Sequence, residues 1–368
     1  MVWIDVISFV FYGSSTGLLV FYLTFYSKFA NHKPDNSRFE KLPFVSVIIC
    51  ARNENENLKQ FLPSVLSQKY PSFEVIVVDD GSDDGSRKTL RENFKEYPNL
   101  RVLDFDLKKE SVGKKQVLEY GIENAKGEYL VMTDADCKPS SLFWLISMVN
   151  GFANKSELVL GIGMYEKKEG WINKMIQLDT LFIIVQYFSF ALAGFPYMSV
   201  GRNVAYKKSL FNNVGGFKNH YDVAGGDDDI MINEMSNSTK VNVVYSPSSQ
   251  TISVPKTTWG SFINQKSRHI SASLKYNKTN LLLLSASYLV TTFWYASIVL
   301  MICYSDSLAI VLTIVVLKKI TLYTIFRRIF AKIGVAELIL LSILMDIMSI
   351  FVQILATINS LKRNKGKW

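Results

Sequence analysis

Hydrophobic and polar positions divide this chain into three regimes. Residues 4–26 form an apolar run with Asp5 as its single charge, and as a helix that run is long enough to cross a bilayer core, which needs about 20 residues. From Pro43 to about Ile162, short apolar runs alternate with amphipathic stretches. The runs at 44–50, 73–78, 100–105, 129–133 and 157–161 are rich in Val, Ile and aromatic residues and predict strands. The stretches at 57–68, 84–95, 112–125 and 140–150 predict helices. Such alternation predicts parallel strands with crossover helices, hence an α/β, doubly wound, mostly parallel sheet with its strand ends along one edge. Near the C-terminus, 281–303 predicts a further span. Residues 308–326 predict a weaker one interrupted by Lys318-Lys319, and 335–358 another with Asp346 inside it.

Between sheet and spans, residues 171–198 are apolar and aromatic but broken by Lys174, Asp179, Gly194 and Pro196. This stretch reads as an amphipathic segment at a bilayer interface, as a cover over an acceptor cleft, or as a buried core helix. Gly201-Arg202-Asn203 predicts a tight turn before 204–206, placed to approach a donor sugar. Residues 259–276 predict an amphipathic helix.

Composition sharpens the picture. In 368 residues, 49% are hydrophobic and 13% aromatic, with the excess at the two ends, which favours membrane segments over a larger core. Cys50, Cys137 and Cys303 lie far apart without metal-ligand spacing, as expected in a reduced compartment. The net charge of +9 clusters beside the apolar segments. That suits an anionic membrane surface; no nucleic-acid recognition motif is present. The first apolar run has neither a basic start nor a small-residue cleavage site, so it predicts an anchor. Lys28, Lys33, Arg38 and Lys41 follow it, which places the next region in the cytoplasm of a cell whose inner (plasma) membrane holds the anchor. The C-terminal topology pulls two ways. Four crossings put the basic run Lys362 to Lys367 outside, three put the cluster 318–332 outside, and four are favoured.

Three polar clusters end three predicted strands: Ala51-Arg52-Asn53-Glu54, Asp79-Asp80-Gly81-Ser82 and Asp134-Ala135-Asp136. Unpaired carboxylates cannot follow a strand into a core, so they sit at the carboxyl edge, where open α/β sheets bind ligands. Asp134 and Asp136 can hold a hard divalent cation whose coordination a diphosphate completes; two solvated acids in a turn would look the same. Asp79 and Asp80 can accept hydrogen bonds from a base or a ribose, although Asp-Gly-Ser is also ordinary turn chemistry. Lys114 opens the helix before the central strand and can meet a base or a phosphate, or simply water. Asp227, Asp228 and Asp229 precede a helix, where one acid suffices as a cap and three are present.

These motifs, in this order, resemble the family 2 inverting glycosyltransferases. The resemblance rests on Phe44-Val-Ser-Val-Ile-Ile-Cys-Ala-Arg-Asn-Glu54, Val77-Val-Asp-Asp-Gly-Ser82, Asp134-Ala-Asp136, Gly215-Gly216-Phe217, Gly226-Asp-Asp-Asp229 and Gln265-Lys-Ser-Arg-His269, and covers roughly residues 43 to 270. It implies a nucleotide-diphosphate-sugar transferase fold. It implies that Ala51, Arg52, Asn53, Glu54, Asp79, Asp80, Lys114 and Asp134 serve the nucleotide donor, and that Asp136, with Asp134, ligates Mg2+ or Mn2+. The family's Glu-Asp base pair falls on Asp227-Asp228, with Asp228 as base and the register open between Asp227, Asp228 and Asp229. Gln265 and Arg268 match the Gln-x-x-Arg of the polymerising branch (cellulose, chitin and hyaluronan synthases), with Arg268 meeting the leaving diphosphate. His269 stands where that branch has tryptophan, which removes a stacking surface for an acceptor sugar.

The expected function is therefore a membrane-anchored, metal-dependent inverting hexosyltransferase. It moves a sugar from a nucleotide-diphosphate sugar, a uridine one by resemblance, to a lipid-linked or surface saccharide. Transfer to polyprenyl phosphate is the alternative, and a non-catalytic nucleotide-binding component the more distant one. The expected domains are an anchor (1–27), a basic linker (28–42), a cytoplasmic transferase domain (43–275) and a C-terminal membrane region with a basic tail (276–368).

Overall fold

The computed structural model describes residues 2–105, 113–221, 223, 225–237, 239–304 and 308–362. Val112, the expected first residue of a helix, and the basic tail beyond Lys362 lie outside them. The strands are β1 (Val45–Ala51), β2 (Phe73–Asp79), β3 (Leu100–Asp104), β4 (Tyr129–Met132), β5 (Cys137–Pro139), β6 (Leu158–Leu160), β7 (Gly163–Tyr165), β8 (Val204–Lys207), β9 (Val241–Val243) and β10 (Thr251–Ser253). Seven form one sheet in the order β3-β2-β1-β4-β8-β6-β9, and three a smaller one, β5-β10-β7.

β3, β2, β1 and β4 run parallel. Both faces of β1 and β2 are covered, which is why they read as runs of Val and Ile rather than alternating with polar residues. Helices Asn55–Leu66, Ser86–Glu92 and Lys114–Asn124 make the crossovers; the last two lie within the predicted stretches, and the first begins two residues before its own. Simple alternation does not continue to β6, however. β8 enters between β4 and β6 and runs antiparallel to both. The sheet is thus mixed, because the chain after β6 leaves through a long helix and returns from the opposite end.

Ala51 pairs with Asp79, and Ile48 with Met132. This register brings the ends of β1, β2 and β4 together, so the three polar clusters share one edge.

The long helix is Trp171–Leu192. Of the readings left open for this stretch, burial prevails: its most apolar window is 83% buried, against 22–28% for the other long apolar helices. A helix apolar on all sides has no water-facing stripe and must be enclosed. Tyr187 donates to the Gly161 carbonyl at 2.7 Å, and Phe190 stacks on Phe25 of the N-terminal helix at 4.7 Å between ring centres. The helix therefore joins the sheet to the terminal helices.

Counting it, five helices among the described residues are long and apolar enough to cross a membrane: Trp3–Asn31, Trp171–Leu192, Lys278–Tyr304, Leu308–Ile333 and Ala336–Lys362. The four outer ones expose Trp3, Phe9, Leu282, Val299, Leu317 and Leu340, and large apolar side chains exposed in such number suit a lipid surface. The charges that interrupted the predicted spans turn out to be one another's partners. Lys318 and Lys319 each reach a carboxylate oxygen of Asp346 at 2.9 Å, and Lys318 lies 3.6 Å from the centre of the Trp294 ring. Asp346→Ala would leave two ammonium groups without their acid. A loss of about 3 to 5 kcal/mol is expected, read as a lowered unfolding temperature in detergent, with Asp346→Asn intermediate.

Candidate functional site

At the first strand end, Asn53 adopts a left-handed φ of 56° and stitches two loops together. Its amide donates to Ser82 Oγ at 2.9 Å, and its side-chain oxygen accepts from the Asp83 amide at 3.0 Å. The Ala51 carbonyl accepts from the Asp80 amide at 2.9 Å. The two neighbouring aspartates have different situations. Asp79 is fully buried and held by Arg87 at 2.9 Å, so it braces the loop. Asp80 meets the exposed Arg52 at 3.4 Å, and burial raises its carboxyl above the ordinary value against that pull. Of the pair, Asp80 is free to take a ligand. Glu54, also pushed up by burial, accepts from Asn57.

Next along the edge, Asp134, Asp136 and Cys137 bring their ligand atoms within 4.8 Å of one another. Burial, then the Asp134 charge, raises Asp136. Burial and both carboxylates push the Cys137 thiol well up, and it sits 2.8 Å from Ser253 Oγ. Lys114 is half-buried and paired: its ammonium lies 2.8 Å from Asp134 and 3.2 Å from Asp227. Burial opposes that charge, but the two acids outweigh it and hold Lys114 well above its ordinary value. Burial likewise works against Asp227, yet Lys114 keeps it below the usual carboxylate range. One lysine thus joins the edge to the Asp227–Asp229 loop.

In that loop each acid has its own partner. Asp229 is fully buried, accepts from Tyr276 at 3.1 Å and lies 3.6 Å from His269 Nδ1. Asp228 accepts from the Gly201 amide at 2.9 Å. A Cβ at Gly201 would come within 3.1 Å of Asp228, so glycine permits the approach. Burial first, then Asp227 and Asp229, push the Asp228 carboxyl up to about 7, against His269 and that amide. It makes no side-chain cap to the helix Asp229–Met235. His269 is raised in turn: burial would lower it, but Asp229 and Asp228 outweigh burial.

The helix Trp259–Ser273 supplies the opposite wall. Gln265 donates to Tyr165 Oη at 3.1 Å, and Lys266 pairs with Asp179 of the long buried helix. Lys114, Asp134, Asp227, Asp228, Gln265 and Arg268 all line one cavity of about 790 Å³. Its far side is formed by Leu284, Tyr288 and Leu289 of the helix Lys278–Tyr304 and by Val352, Gln353 and Thr357. Ala51 to Glu54, Asp79, Asp80 and Asp136 lie off this cavity, along the same sheet edge.

Comparison with known proteins decides the family. The glycosyl transferase family group 2 profile matches residues 145–349, more than half of the chain, and the glycosyl transferase family 2 profile matches 46–215. The chain belongs to glycosyl transferase family 2. Glycosyltransferase AglE of Haloferax volcanii is 35% identical over 197 residues, covering 50% of this chain and 59% of that one. Poly-beta-1,6-N-acetyl-D-glucosamine synthase of Staphylococcus epidermidis is 32% identical over 117 residues, 30% of this chain and 27% of that one. The matches thus span only part of those relatives. A solved mannosyltransferase from Pyrobaculum calidifontis, in complex with GDP-Man and Mn2+, superposes with a TM-score of 0.65 at 19% identity over 97% of each chain. That likeness shows the fold.

For this glycosyltransferase, the residues at Asp134 and Asp136 fit a hard divalent ion. The donor set is two carboxylates, while a thiol kept protonated is a poor ligand for a softer metal. Several cavity groups were not singled out from sequence. Arg202 donates to the Gly163 carbonyl at 2.7 Å and lies 4.5 Å from the Tyr165 ring centre; the sequence predicts its turn but gives no sign of where its guanidinium goes. Tyr276 and the Lys266–Asp179 pair were also missed. Asp179 carried a signal, being an acid inside an otherwise apolar helix.

Proposed function

We propose that this chain is a membrane-embedded, metal-dependent inverting glycosyltransferase that passes a sugar from a nucleotide diphosphate to a lipid-linked or surface saccharide. The observation that carries the reading is the cavity. Its polar end holds Lys114, Asp134, Asp227 and Asp228, and its apolar end is made by helices that face outward as lipid-covered surfaces do. A water-soluble acceptor needs no such wall. The same reading keeps the anchor at 1–27, the basic linker at 28–42, the transferase domain at 43–275, facing the cytoplasm, and the membrane region at 276–368.

Inversion requires a single in-line displacement. The acceptor oxygen bonds to the anomeric carbon as the bond to the diphosphate breaks, and the hydroxyl proton passes to a base. Asp228 is that base: its carboxyl, raised to about 7, is poised near the operating pH of a general base. Lys114 holds Asp134 and Asp227 in register on the donor side. Arg268, with Gln265 beside it on the helix, offers a guanidinium to the departing diphosphate. A divalent ion held by Asp134 and Asp136 would neutralise the diphosphate charge. Asp80, Asn53 and Arg52 lie where the nucleoside would extend along the strand ends.

The test is a donor panel that includes UDP- and GDP-sugars, read as released nucleoside diphosphate, in membranes with and without added polyprenyl phosphate. A uridine donor and saccharide product are expected. Transfer that appears only with polyprenyl phosphate replaces the acceptor assignment, and binding without turnover on any acceptor removes the enzymatic one.

His269 bears on product length. It stands 3.6 Å from Asp229 as a charge partner, so it offers little of the stacking surface an indole gives a sugar. One or a few sugars per encounter are expected, and long polymer on a mass ladder would contradict this.

A further inference from the structure

The segment Ala336–Lys362 has the length and apolarity of a membrane span, yet both of its ends touch the transferase domain. At the start, Glu337 pairs with Lys167 just past β7, and the preceding Ile333 carbonyl accepts from Gln250 at 2.8 Å. At the end, Asn359 donates to Asn264 and to Ser267 of the helix Trp259–Ser273, each at 2.9 Å. Between them Val352 packs in one cluster with Ile176, Phe262 and Ile263. The segment is a nine-residue 3-10 stretch, Ala336–Leu344, followed by the helix Met345–Lys362.

Its turning point lies deep. Asp346 meets Lys318 and Lys319, and Lys319 also donates to the Ile343 carbonyl at 2.8 Å. Lys318 covers Trp294, whose indole N–H donates to Ser15 at 2.9 Å, and Ser15 is midway along the apolar run 4–26. Three lengths agree on this depth. The 3-10 limb rises about 18 Å at roughly 2.0 Å per residue. The stretches from Asp346 to Asn359 and from Lys318 to Ile333 rise about 20 and 22 Å at roughly 1.5 Å per residue. A bilayer core is about 30 Å thick. The segment reaches well into such a core and comes back.

We propose that Ala336–Lys362 is a re-entrant hairpin, not a span, and that its returning limb is the membrane-side wall of the acceptor site. This rests on the transferase reading above and names where a lipid-linked saccharide lies within the same cavity. The returning limb is two-faced. Phe351, Ile354 and Ile358 are exposed, while Ser349, Val352, Gln353 and Thr357 line the cavity, the spacing of a helix with lipid on one side and a polar space on the other. A 3-10 stretch and an α-helix both satisfy their backbone groups internally, as membrane depth requires. Gln353 and Thr357 present an amide and a hydroxyl that suit sugar hydroxyls, within reach of a lipid tail between the outer helices. The hairpin also removes the conflict over topology. With three crossings, at 3–31, 278–304 and 308–333, the basic groups Arg327, Arg328, Lys332 and Lys362 fall on the same side as Lys33, Arg38 and Lys41, as the positive-inside rule asks.

Side-specific labelling tests the topology. A membrane-impermeant maleimide is applied to intact and permeabilised cells carrying, one at a time, native Cys303, Lys59→Cys on the transferase domain, and Leu361→Cys at the exposed end of the returning limb, the last two in a Cys303→Ser background. Cys303 should label in intact cells, and Lys59→Cys and Leu361→Cys only after permeabilisation. If Leu361→Cys shares its side with Cys303, the segment spans and the hairpin is overturned. If Lys59→Cys and Leu361→Cys both label in intact cells while Cys303 does not, the hairpin stands and the cytoplasmic orientation falls. For the wall, Gln353→Trp in native membranes should lose transfer at least tenfold while binding the nucleotide-sugar donor normally. The near-isosteric Gln353→Met should lose transfer severalfold. Wild-type transfer in Gln353→Met, or in a donor-binding Gln353→Trp, overturns the acceptor assignment.

Discussion

Asp228→Asn should transfer sugar on the order of a hundred- to ten-thousandfold more slowly than the wild type, the usual loss when a general base is removed, while folding and binding donor as before. The three consecutive acids make the expectation discriminating. Asp229 is fully buried against Tyr276 and His269, so Asp229→Asn should act mainly through stability. Asp227 pairs with Lys114, so Asp227→Asn should loosen the donor side and lose less turnover than Asp228→Asn. Near-normal turnover in Asp228→Asn with a dead Asp227→Asn would move the base by one position. The pH profile gives an independent reading. A base must be unprotonated, and burial with its acidic neighbours pushes Asp228 up to about 7, so the rate should climb as pH rises through about 7. Asp227→Asn removes a negative charge that raises Asp228, so the acid limb of its residual activity should move to lower pH.

Excess chelator should abolish transfer, and Mn2+ or Mg2+ should restore it. Asp134 and Asp136 crowd two carboxylates into one corner, where burial first and then the neighbouring charge raise Asp136. A diphosphate brought there without a cation would meet the like charge of both carboxylates, offset in part by Lys114, Arg202 and Arg268. Asp136→Ala should therefore weaken donor binding as well as turnover, by tenfold or more in each, measured by titration of the nucleotide sugar and by nucleoside diphosphate release. Full turnover in excess chelator would remove the metal from the mechanism. Normal donor affinity in Asp136→Ala would remove that residue from the metal site.

Chemistry carried by short stretches was legible early. β1, β2 and β4 announced themselves as apolar runs ending in charge, because a strand must bury its side chains and a carboxylate must not be buried alone. Their common edge followed from strand–helix alternation, and the register of Ala51 with Asp79 agrees with it. The antiparallel entry of β8 was not legible, since strand direction depends on the path of the chain between strands and leaves no mark in a four-residue run.

A family 2 transferase sheet with its acids on one edge and apolar helices at both ends can be read from the residues in order. Backbone propensity and hydrophobic period are local properties, written into neighbouring residues. Only the tertiary structure decided which charges meet. Lys114 bridges Asp134 and Asp227, Asp228 leans on the Gly201 amide, and Lys318 and Lys319 close on Asp346. Each of these joins residues from separate elements. Electrostatic energy depends on distance through space and on burial, and neither is fixed until the elements have packed.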